Sequence, residues 1–403
     1  MLLAVLTVFY NNAFAYTPQS LYDEVWRLVN TKFVDQTQNN QDWKKWRYKY
    51  DKYIETDQDA YVAIETMLAS LDDKYTRFLN PDEFKDENES IRAKLYGVGM
   101  QIGTRDNKLV IIAPLENTPA EKANLKADDE IVSIDDKSTK GLSVKQAADM
   151  IRGQKGTKVK LLIRRNGKDK VYELVRDEIK IMAVSNKPPF KTKIPNNFGY
   201  IRLNSFLSKE ASNEIMNILH QDKNKDGIIL DIRVNPGGLL SNAVAISDMF
   251  LDDGAIVSTV DKDGYKEIKK ATSHVIWSKP LVVLIDRGSA SASEILSGAL
   301  KDNHRAVLVG TNTFGKGLVQ EINQLPGGSG INITTQKYLT PNDIDINKKG
   351  IEPDIKVKNK EEDFKNKYDR QLSAAIKVLQ ELVNGKSVSS ITDSSLQTAK
   401  NNN

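Results

Sequence analysis

The 403-residue sequence contains no cysteine, and histidine occurs only as His220, His274 and His304. The lack of cysteine excludes disulfides, thiol catalysis and cysteine-based metal sites, although it does not fix the redox compartment. None of the histidines lies in a glycine-rich turn or beside an acidic residue placed to orient it, which disfavours a histidine base. We expect neither a metal ion nor another cofactor.

The sequence also lacks a long apolar run and any internal repeat of the kind found in solenoids. Its apolar start, residues 1–15, is interrupted by Asn11 and Asn12 and is too short for a membrane span. It ends in Ala13-Phe14-Ala15, a cleavage pattern typical of signal peptides, but no basic region precedes it. Either the start lies upstream or this is the tail of a longer targeting sequence. We interpret residues 1–15 as a signal or targeting remnant and expect an exported protein.

Three serines alternate in the segment DRGSASASE at 286–294. An apolar, β-rich run precedes them, and apolar residues at helical spacing follow from Glu294, so the segment is a predicted strand-to-helix turn. Ser291 therefore falls near a helix N-terminus, where free N–H groups and the helix dipole favour developing negative charge. This position suits a nucleophile for acyl transfer.

A lysine between two glycines, Lys316, is the candidate base for that serine. Serine attacks poorly at its own pKa and needs a base, and the flanking glycines allow the backbone to pack closely. The lysine must be neutral near pH 7, which requires burial to lower a pKa of about 10.4 by roughly 3 units. We therefore expect a dry pocket. From spacing alone, a small-residue loop and a solvated surface lysine remain an open alternative.

A second strand-and-turn segment contains GIILDIR at 227–233, which predicts a buried strand, followed by Asn235-Pro236-Gly237-Gly238. Glycines at the carboxyl end of such a strand let backbone N–H groups approach a ligand. By itself the segment favours an ordinary strand-to-helix turn, and it gains weight only in combination with Ser291 and Lys316.

Residues 97–165 have the pattern of a PDZ domain. The sequence Gly97-Val98-Gly99-Met100 is typical of the loop whose amides hold a terminal carboxylate while a strand edge pairs with the peptide. Asn124 and Asp128 replace two usual glycines, and both residue types tolerate left-handed backbone geometry. A predicted helix over Ser143 to Arg152 and a predicted strand over Lys158 to Arg165 complete the pattern.

The segments around Ser291 and Lys316 together resemble the core of the carboxyl-terminal processing (tail-specific) serine proteases. The resemblance rests on GSASASEI, on Asp302 with Arg305-Ala306, and on the G-x-x-T-F-G-K-G-x-V-Q pattern at 310–320. It implies that Ser291 is the nucleophile and Lys316 the base.

The same resemblance implies further site residues. Gln320 matches a glutamine that helps to orient the lysine, and Asp302 matches an acidic position that some members need, although a structural helix-end role fits it equally. An oxyanion hole is implied from Gly237 or Gly238 together with the amide of Ala292.

Softer motifs connect the chain to one branch of the family. Residues 71–79 match the family's leader to its PDZ domain, and residues 350–354 match its closing motif. Residues 338–343 depart from the usual Ser-Gly after Thr-Pro, which puts the local turn in doubt. Residues 24–27 and the aromatic insert around Trp43 resemble the cyanobacterial and plastid branch, which trims a photosystem II reaction-centre precursor in the thylakoid lumen.

The aromatic-rich segment 42–53, DWKKWRYKYDKY, has two interpretations. Its alternating aromatic and basic residues are compatible with nucleic-acid stacking. A solvated amphipathic helical face is favoured, because the net charge is only +4 and no basic domain stands out. We therefore expect no nucleic-acid partner.

The predicted fold is multidomain α/β and α+β, with a PDZ domain inserted before a mixed α/β Ser-Lys protease core that resembles the crotonase and Clp-protease folds. The predicted regions are a targeting remnant (1–15), a helical N-terminal region (16–90), the PDZ domain (91–175), the protease core with a C-terminal helix (176–385) and a disordered tail (386–403).

The predicted function is a serine endopeptidase that cleaves near the free C-terminus of exported protein substrates, in the thylakoid lumen or periplasm. A membrane-protein substrate at the membrane surface is compatible with this role. Two alternatives from other classes are a PDZ adaptor with an inactive protease-like core and a small-molecule acyl hydrolase. The first would be indicated by loss of Ser291 or Lys316, and the second leaves the peptide-binding pattern unexplained.

Overall fold

A computed structural model describes residues 16–91, 94–105, 107–115, 118–126, 128–180, 183–188 and 192–393. The predicted targeting remnant, residues 1–15, lies outside the described residues. The chain divides into two compact units. The first contains Met1–Glu87, Asn186–Phe206 and Ile215–Asn403, and the second contains Asn88–Ser185 with Leu207–Glu214.

The helices, in chain order, are α1 (Pro18–Lys32), α2 (Asp57–Ala69), α3 (Pro81–Ile91), α4 (Pro119–Lys122), α5 (Val144–Ile151), α6 (Ala211–Gln221), α7 (Leu240–Asp248), α8 (Ala292–Asp302), α9 (Glu361–Lys365) and α10 (Arg370–Val383). The strands are β1 (Arg77–Leu79), β2 (Lys94–Gly97), β3 (Met100–Arg105), β4 (Lys108–Pro114), β5 (Glu130–Ile134), β6 (Lys137–Ser138), β7 (Lys158–Arg165), β8 (Lys168–Val175), β9 (Asp177–Lys180), β10 (Val184–Ser185), β11 (Phe198–Leu203), β12 (Gly227–Asp231), β13 (Ala255–Asp261), β14 (Lys266–Lys270), β15 (Leu281–Ile285), β16 (Val307–Gly310), β17 (Leu318–Gln324), β18 (Gly330–Leu339) and β19 (Ile355–Lys356). Short 3-10 helices cover Trp43–Trp46 and Pro326–Gly328.

The first unit is built on parallel strands in the order β11-β12-β15-β16-β19. Strands β12 and β15 are buried along their whole length, which explains why their sequences are nearly continuous apolar runs. Helix α10 packs on the face that carries Ile229, Val282 and Leu284. Because β12, β15 and β16 are neighbours and run in the same direction, the loops after them meet at one edge of the sheet.

An antiparallel sheet completes this unit, with β18 pairing to β1, β13 and β17. Helices α1 and α2 bury their apolar faces together with residues of β18 such as Ile331 and Ile333. Both helices begin with a capping box, at Thr17 and at Thr56. The N-terminal helices therefore share a hydrophobic core with strands from the C-terminal half of the chain.

The aromatic segment 42–53 differs from the expected helical face. Only Trp43–Trp46 forms a 3-10 helix, and turns follow it. Trp43 is buried, whereas Tyr48 and Tyr53 are exposed. The segment forms turns because two side chains of α1 bind its backbone. The indole N–H of Trp26 donates to the carbonyl of Trp43, and the hydroxyl of Tyr22 donates to the carbonyl of Trp46.

The second unit contains the sheet β3-β4-β5-β7-β8 around a core that includes Val98, Ile111 and Ile163. Asn124 and Asp128 have φ angles of 60° and 68°, which confirms the left-handed geometry expected where these residues replace glycine. Strand β7 has the predicted bounds, and Ser143 caps α5 with a capping box.

The C-terminal segment continues beyond α10. Residues 388–393, which lie inside the segment expected to be disordered, form a helical turn whose Ile391 is buried against the core. The remainder of that segment, 394–403, is not among the described residues. Across the part of the chain that the structure describes, no helix combines the length and apolar character needed to cross a bilayer.

Candidate active site

Ser291 occupies the turn between β15 and α8 with φ 55° and ψ −114°, a backbone conformation that is strained for a residue other than glycine. The two flanking serines are fully buried and hold this turn in place. The hydroxyl of Ser289 donates to the carbonyl of Ile232 at 2.8 Å, and that of Ser293 donates to the carbonyl of Asn235 at 2.9 Å. The strain at Ser291 is thus maintained by bonds to the loop after β12.

The loop after β12 contains the turn Asn235-Pro236-Gly237-Gly238, which is the oxyanion turn predicted from the resemblance. A Cβ atom on Gly237, whose φ is 98°, would lie 2.6 Å from the carbonyl oxygen of Ala290 and 2.9 Å from the amide nitrogen of Ala292. Only glycine therefore permits this approach. The N–H of Gly237 donates to the side chain of Asn235 at 2.9 Å, so the amide of Gly238 is the better candidate for an oxyanion donor with Ala292.

Lys316 lies in the loop after β16, and its side chain is half-buried. Burial lowers its pKa, which is the direction expected for a lysine base. Asp73 and Glu294 oppose this shift, whereas the positive charges of Arg77 and Lys74 reinforce it.

Glu294 joins the two loops, whereas helical spacing in the sequence predicts only that a helix begins at this residue. Its fully buried carboxylate accepts hydrogen bonds from the amides of Ser291 (2.8 Å) and Lys316 (2.9 Å). It also accepts from the hydroxyl of Thr313 and the amide of Gly315, both at 2.6 Å. The signal for this role was the capping-box spacing Ser-x-x-Glu, which places a glutamate opposite the serine backbone.

Tyr338 on β18 is a second residue that the sequence reasoning missed. Its buried hydroxyl lies 3.2 Å from the carbonyl oxygen of Ser291 and also contacts the carbonyl oxygen of Lys316. Burial raises the pKa of Tyr338 and the negative charge of Glu294 raises it further, so the hydroxyl stays protonated and remains a donor.

The hydrogen bonds of Gln320 and Asp302 are made with residues of β18 and of the turn that follows it. The side-chain amide of Gln320 donates to the hydroxyl of Thr334 at 3.3 Å. Asp302 accepts from the hydroxyl of Thr340 at 2.6 Å and from the amide of Asn342 at 2.9 Å. Asp302 is at the other end of α8 from Ser291, about 16 Å away along a helix of this length. Its contacts therefore fix the unusual turn after β18.

A groove in the second unit contains the predicted carboxylate-binding loop. Strand β3 is at the edge of its sheet and contacts α5, and the groove includes all four loop residues, Gly97, Val98, Gly99 and Met100. Apolar side chains such as Ile102 and Ile151 line it further, together with Arg152, which the sequence reasoning did not select. Gly99 has a φ of 74°, and a Cβ there would lie 2.3 Å from Cβ of Thr118.

Within the described ranges, no group of three or more His, Asp or Glu side chains is placed to hold a metal ion. His220, His274 and His304 are all exposed.

Comparisons with known proteins agree with this architecture. Residues 197–357 match the model of peptidase family S41, residues 89–164 match the PDZ domain, and residues 14–61 match the Tricorn protease C1 domain. A carboxyl-terminal-processing protease of Synechocystis is 43% identical over 351 residues, which are 85% of this chain and 82% of that protein. The chain therefore belongs to peptidase family S41, a family of serine peptidases.

Within that family it is a carboxyl-terminal processing peptidase that carries a PDZ domain. A chloroplastic C-terminal processing peptidase of Tetradesmus obliquus is 36% identical over 359 residues, covering 84% of this chain and 77% of that protein. The solved photosystem II D1 C-terminal processing protease is 34% identical, with a TM-score of 0.57, over 85% of this chain and 94% of that one. These matches confirm the predicted fold class.

Proposed function

We propose that this peptidase cleaves its protein substrates with Ser291 as the nucleophile and Lys316 as the general base. The observation that carries the proposal is the buried carboxylate of Glu294, which binds the backbone amides of both residues. Two loops that are distant in sequence are thereby held together in a desolvated place, where an amine loses its charge most easily.

The chemistry follows from these positions. The neutral amine of Lys316 accepts the hydroxyl proton of Ser291 while the serine oxygen attacks the scissile carbonyl carbon. The amides of Gly238 and Ala292 stabilise the negative charge that develops on the carbonyl oxygen. The lysine ammonium then donates its proton to the leaving amine, and water hydrolyses the acyl-enzyme by the same sequence.

The PDZ groove is proposed to select substrates by their free C-terminus. The amides of Val98, Gly99 and Met100 would bind the terminal carboxylate, with the guanidinium of Arg152 adding a positive charge nearby. The apolar lining of the groove favours an apolar last residue. This groove argues against a small-molecule acyl hydrolase, and the presence of both Ser291 and Lys316 argues against an inactive adaptor.

We further propose that the protein is exported and acts in the thylakoid lumen or periplasm. The substrate proposed is the C-terminal extension of a photosystem II reaction-centre precursor, a membrane protein processed at the membrane surface. The likeness to the solved photosystem II D1 processing protease supports this choice.

Cleavage of C-terminally extended peptides by the purified protein tests the proposed nucleophile and base, with products identified by mass spectrometry. Ser291→Ala and Lys316→Ala should each abolish cleavage while leaving the folded state intact, and the double variant should be no worse, because the two residues act as a unit. Lys270→Ala, which changes an exposed lysine on β14, is the matched control and should retain full activity. Lys316 is not the base if its alanine variant keeps more than about a tenth of the activity, since a positioned base contributes roughly 10²–10⁴-fold.

A further inference from the structure

The side chain of Lys316 rests on an aromatic ring from the N-terminal part of the chain. Its Nζ atom lies 4.5 Å from the centroid of the Tyr75 ring, which is within the range of a cation–π interaction. Tyr75 precedes β1, whereas Lys316 follows β16, so the ring and the lysine come from segments that are far apart in the sequence. The contact links the leader segment directly to the proposed base.

The backbone on both sides of this contact is fixed. The amide of Tyr75 donates to Asp73, whose other carboxylate oxygen accepts from Thr334 on β18 at 2.6 Å. The backbone of Lys316 is held by Glu294 and Tyr338. The backbones of Tyr75 and Lys316 are therefore both held by hydrogen bonds.

A cation–π contact stabilises the ammonium form of a lysine and not the neutral amine. Catalysis needs the neutral amine, so this contact and the burial of Lys316 act in opposite directions on its protonation. The other charges that bear on the group are Asp73 and Glu294, which favour the ammonium, and Arg77 and Lys74, which disfavour it. The Nζ atom of Lys74 also lies 5.1 Å from the centroid of the Tyr75 ring.

We propose that Tyr75 is a positioning residue that holds the Lys316 ammonium on its ring at acidic pH and so sets the pH at which the amine becomes available to Ser291. Loss of the proton weakens the attraction to the ring, and the neutral amine then turns toward the serine hydroxyl. This inference rests on the proposed function of Lys316 as the base.

Fluorinated phenylalanines at position 75 give the sharpest test, because they reduce the negative charge on the ring face while keeping its shape. The specificity constant for an extended peptide is measured against pH for Tyr75→Phe and for variants with one, two and three ring fluorines. The specificity constant should rise with pH as Lys316 loses its proton, and we call the midpoint of this rise the acidic limb. The acidic limb should keep its position in Tyr75→Phe and move stepwise to lower pH with each fluorine. Tyr75→Leu, which removes the ring, should move the acidic limb to lower pH by about 0.5–1.5 pH units.

Lys74→Gln is the matched control that tests whether the acidic limb reports the protonation of Lys316. It removes a positive charge that disfavours the ammonium form of Lys316, so the limb should move to higher pH, opposite to the fluorine series. A limb that stays in place across the fluorine series, while Lys316→Ala is inactive, overturns the role of Tyr75 and leaves the base assignment standing. If Lys316→Ala remains active, the base assignment fails and the role of Tyr75 fails with it.

Discussion

At the scale of single residues, the candidate site depends on buried polar groups that each bind several partners. Glu294 binds the loops of the proposed nucleophile and base with one carboxylate, and Tyr338 contacts the backbone of both. A buried carboxylate is expensive unless it is fully hydrogen-bonded, and Glu294 accepts four hydrogen bonds of 2.6–2.9 Å. The geometry at Ser291 is therefore maintained by a network and not by one contact.

The pH dependence of activity is a prediction at this scale. Burial lowers the pKa of Lys316, and only the deprotonated amine can accept the serine proton. Activity should therefore be low at acidic pH and rise through the lowered pKa toward a plateau, as measured by peptide cleavage across pH. A metal chelator added as a control should change nothing. A bell-shaped profile centred near 6.5, the ordinary pKa of histidine, would contradict the lysine mechanism.

At the scale of elements, the start of α10 is tied to the end of β12, the strand that leads into the proposed oxyanion turn. The guanidinium of Arg233 is buried between Asp231 (2.6 Å) and Asp369 (2.8 Å), and Asp369 also caps α10 by accepting from the amide of Leu372. Burial alone raises the pKa of Asp369, but its bonds to Arg233 outweigh this and lower it. The carboxylate is therefore charged when the protein is folded.

Asp369→Asn tests this connection. The substitution leaves the buried Arg233 with one carboxylate partner fewer, so the free energy of unfolding should fall by about 3 kcal/mol in a denaturant titration. The control is Glu352→Gln, which breaks an ion pair with Lys356 whose side chains are 69% and 71% exposed. It should change stability by less than about 1 kcal/mol. Equal effects of the two substitutions would show that the buried network does not anchor α10.

At the scale of the whole molecule, the proposed activity combines a peptidase core with a groove for substrate termini in a separate unit. Each unit has its own hydrophobic cores, so each can keep its internal geometry while carrying out one of the two tasks. The proposed substrate selection and the proposed chemistry therefore lie in different units.

Amidation of a substrate's C-terminus tests the role of the groove. It removes the charge that the amides of Val98, Gly99 and Met100 would stabilise, at about 1.5–3 kcal/mol for a charge-assisted hydrogen bond. The specificity constant of the intact enzyme should fall by roughly 10- to 150-fold against the same peptide with a free terminus. An added terminal Asp should also reduce cleavage, because the groove is largely apolar. Equal rates for the free and amidated peptides would show that the groove does not bind the terminus.

Local sequence patterns determined much of the fold and the candidate site. The apolar runs predicted β12 and β15, helical spacing after Glu294 predicted α8, and the left-handed turns at Asn124 and Asp128 followed from residue type. These predictions succeed because burial, capping and turn geometry depend on residues close together in sequence.

The tertiary structure alone decided which distant groups meet. It placed Tyr75 on Lys316, joined the amides of Ser291 and Lys316 through Glu294, and directed Gln320 to Thr334 and Asp302 to the turn after β18. It also held segment 42–53 in turns, because side chains of α1 bind its backbone. Such contacts join residues far apart in the chain, and neither periodicity nor residue type specifies the long-range packing that creates them.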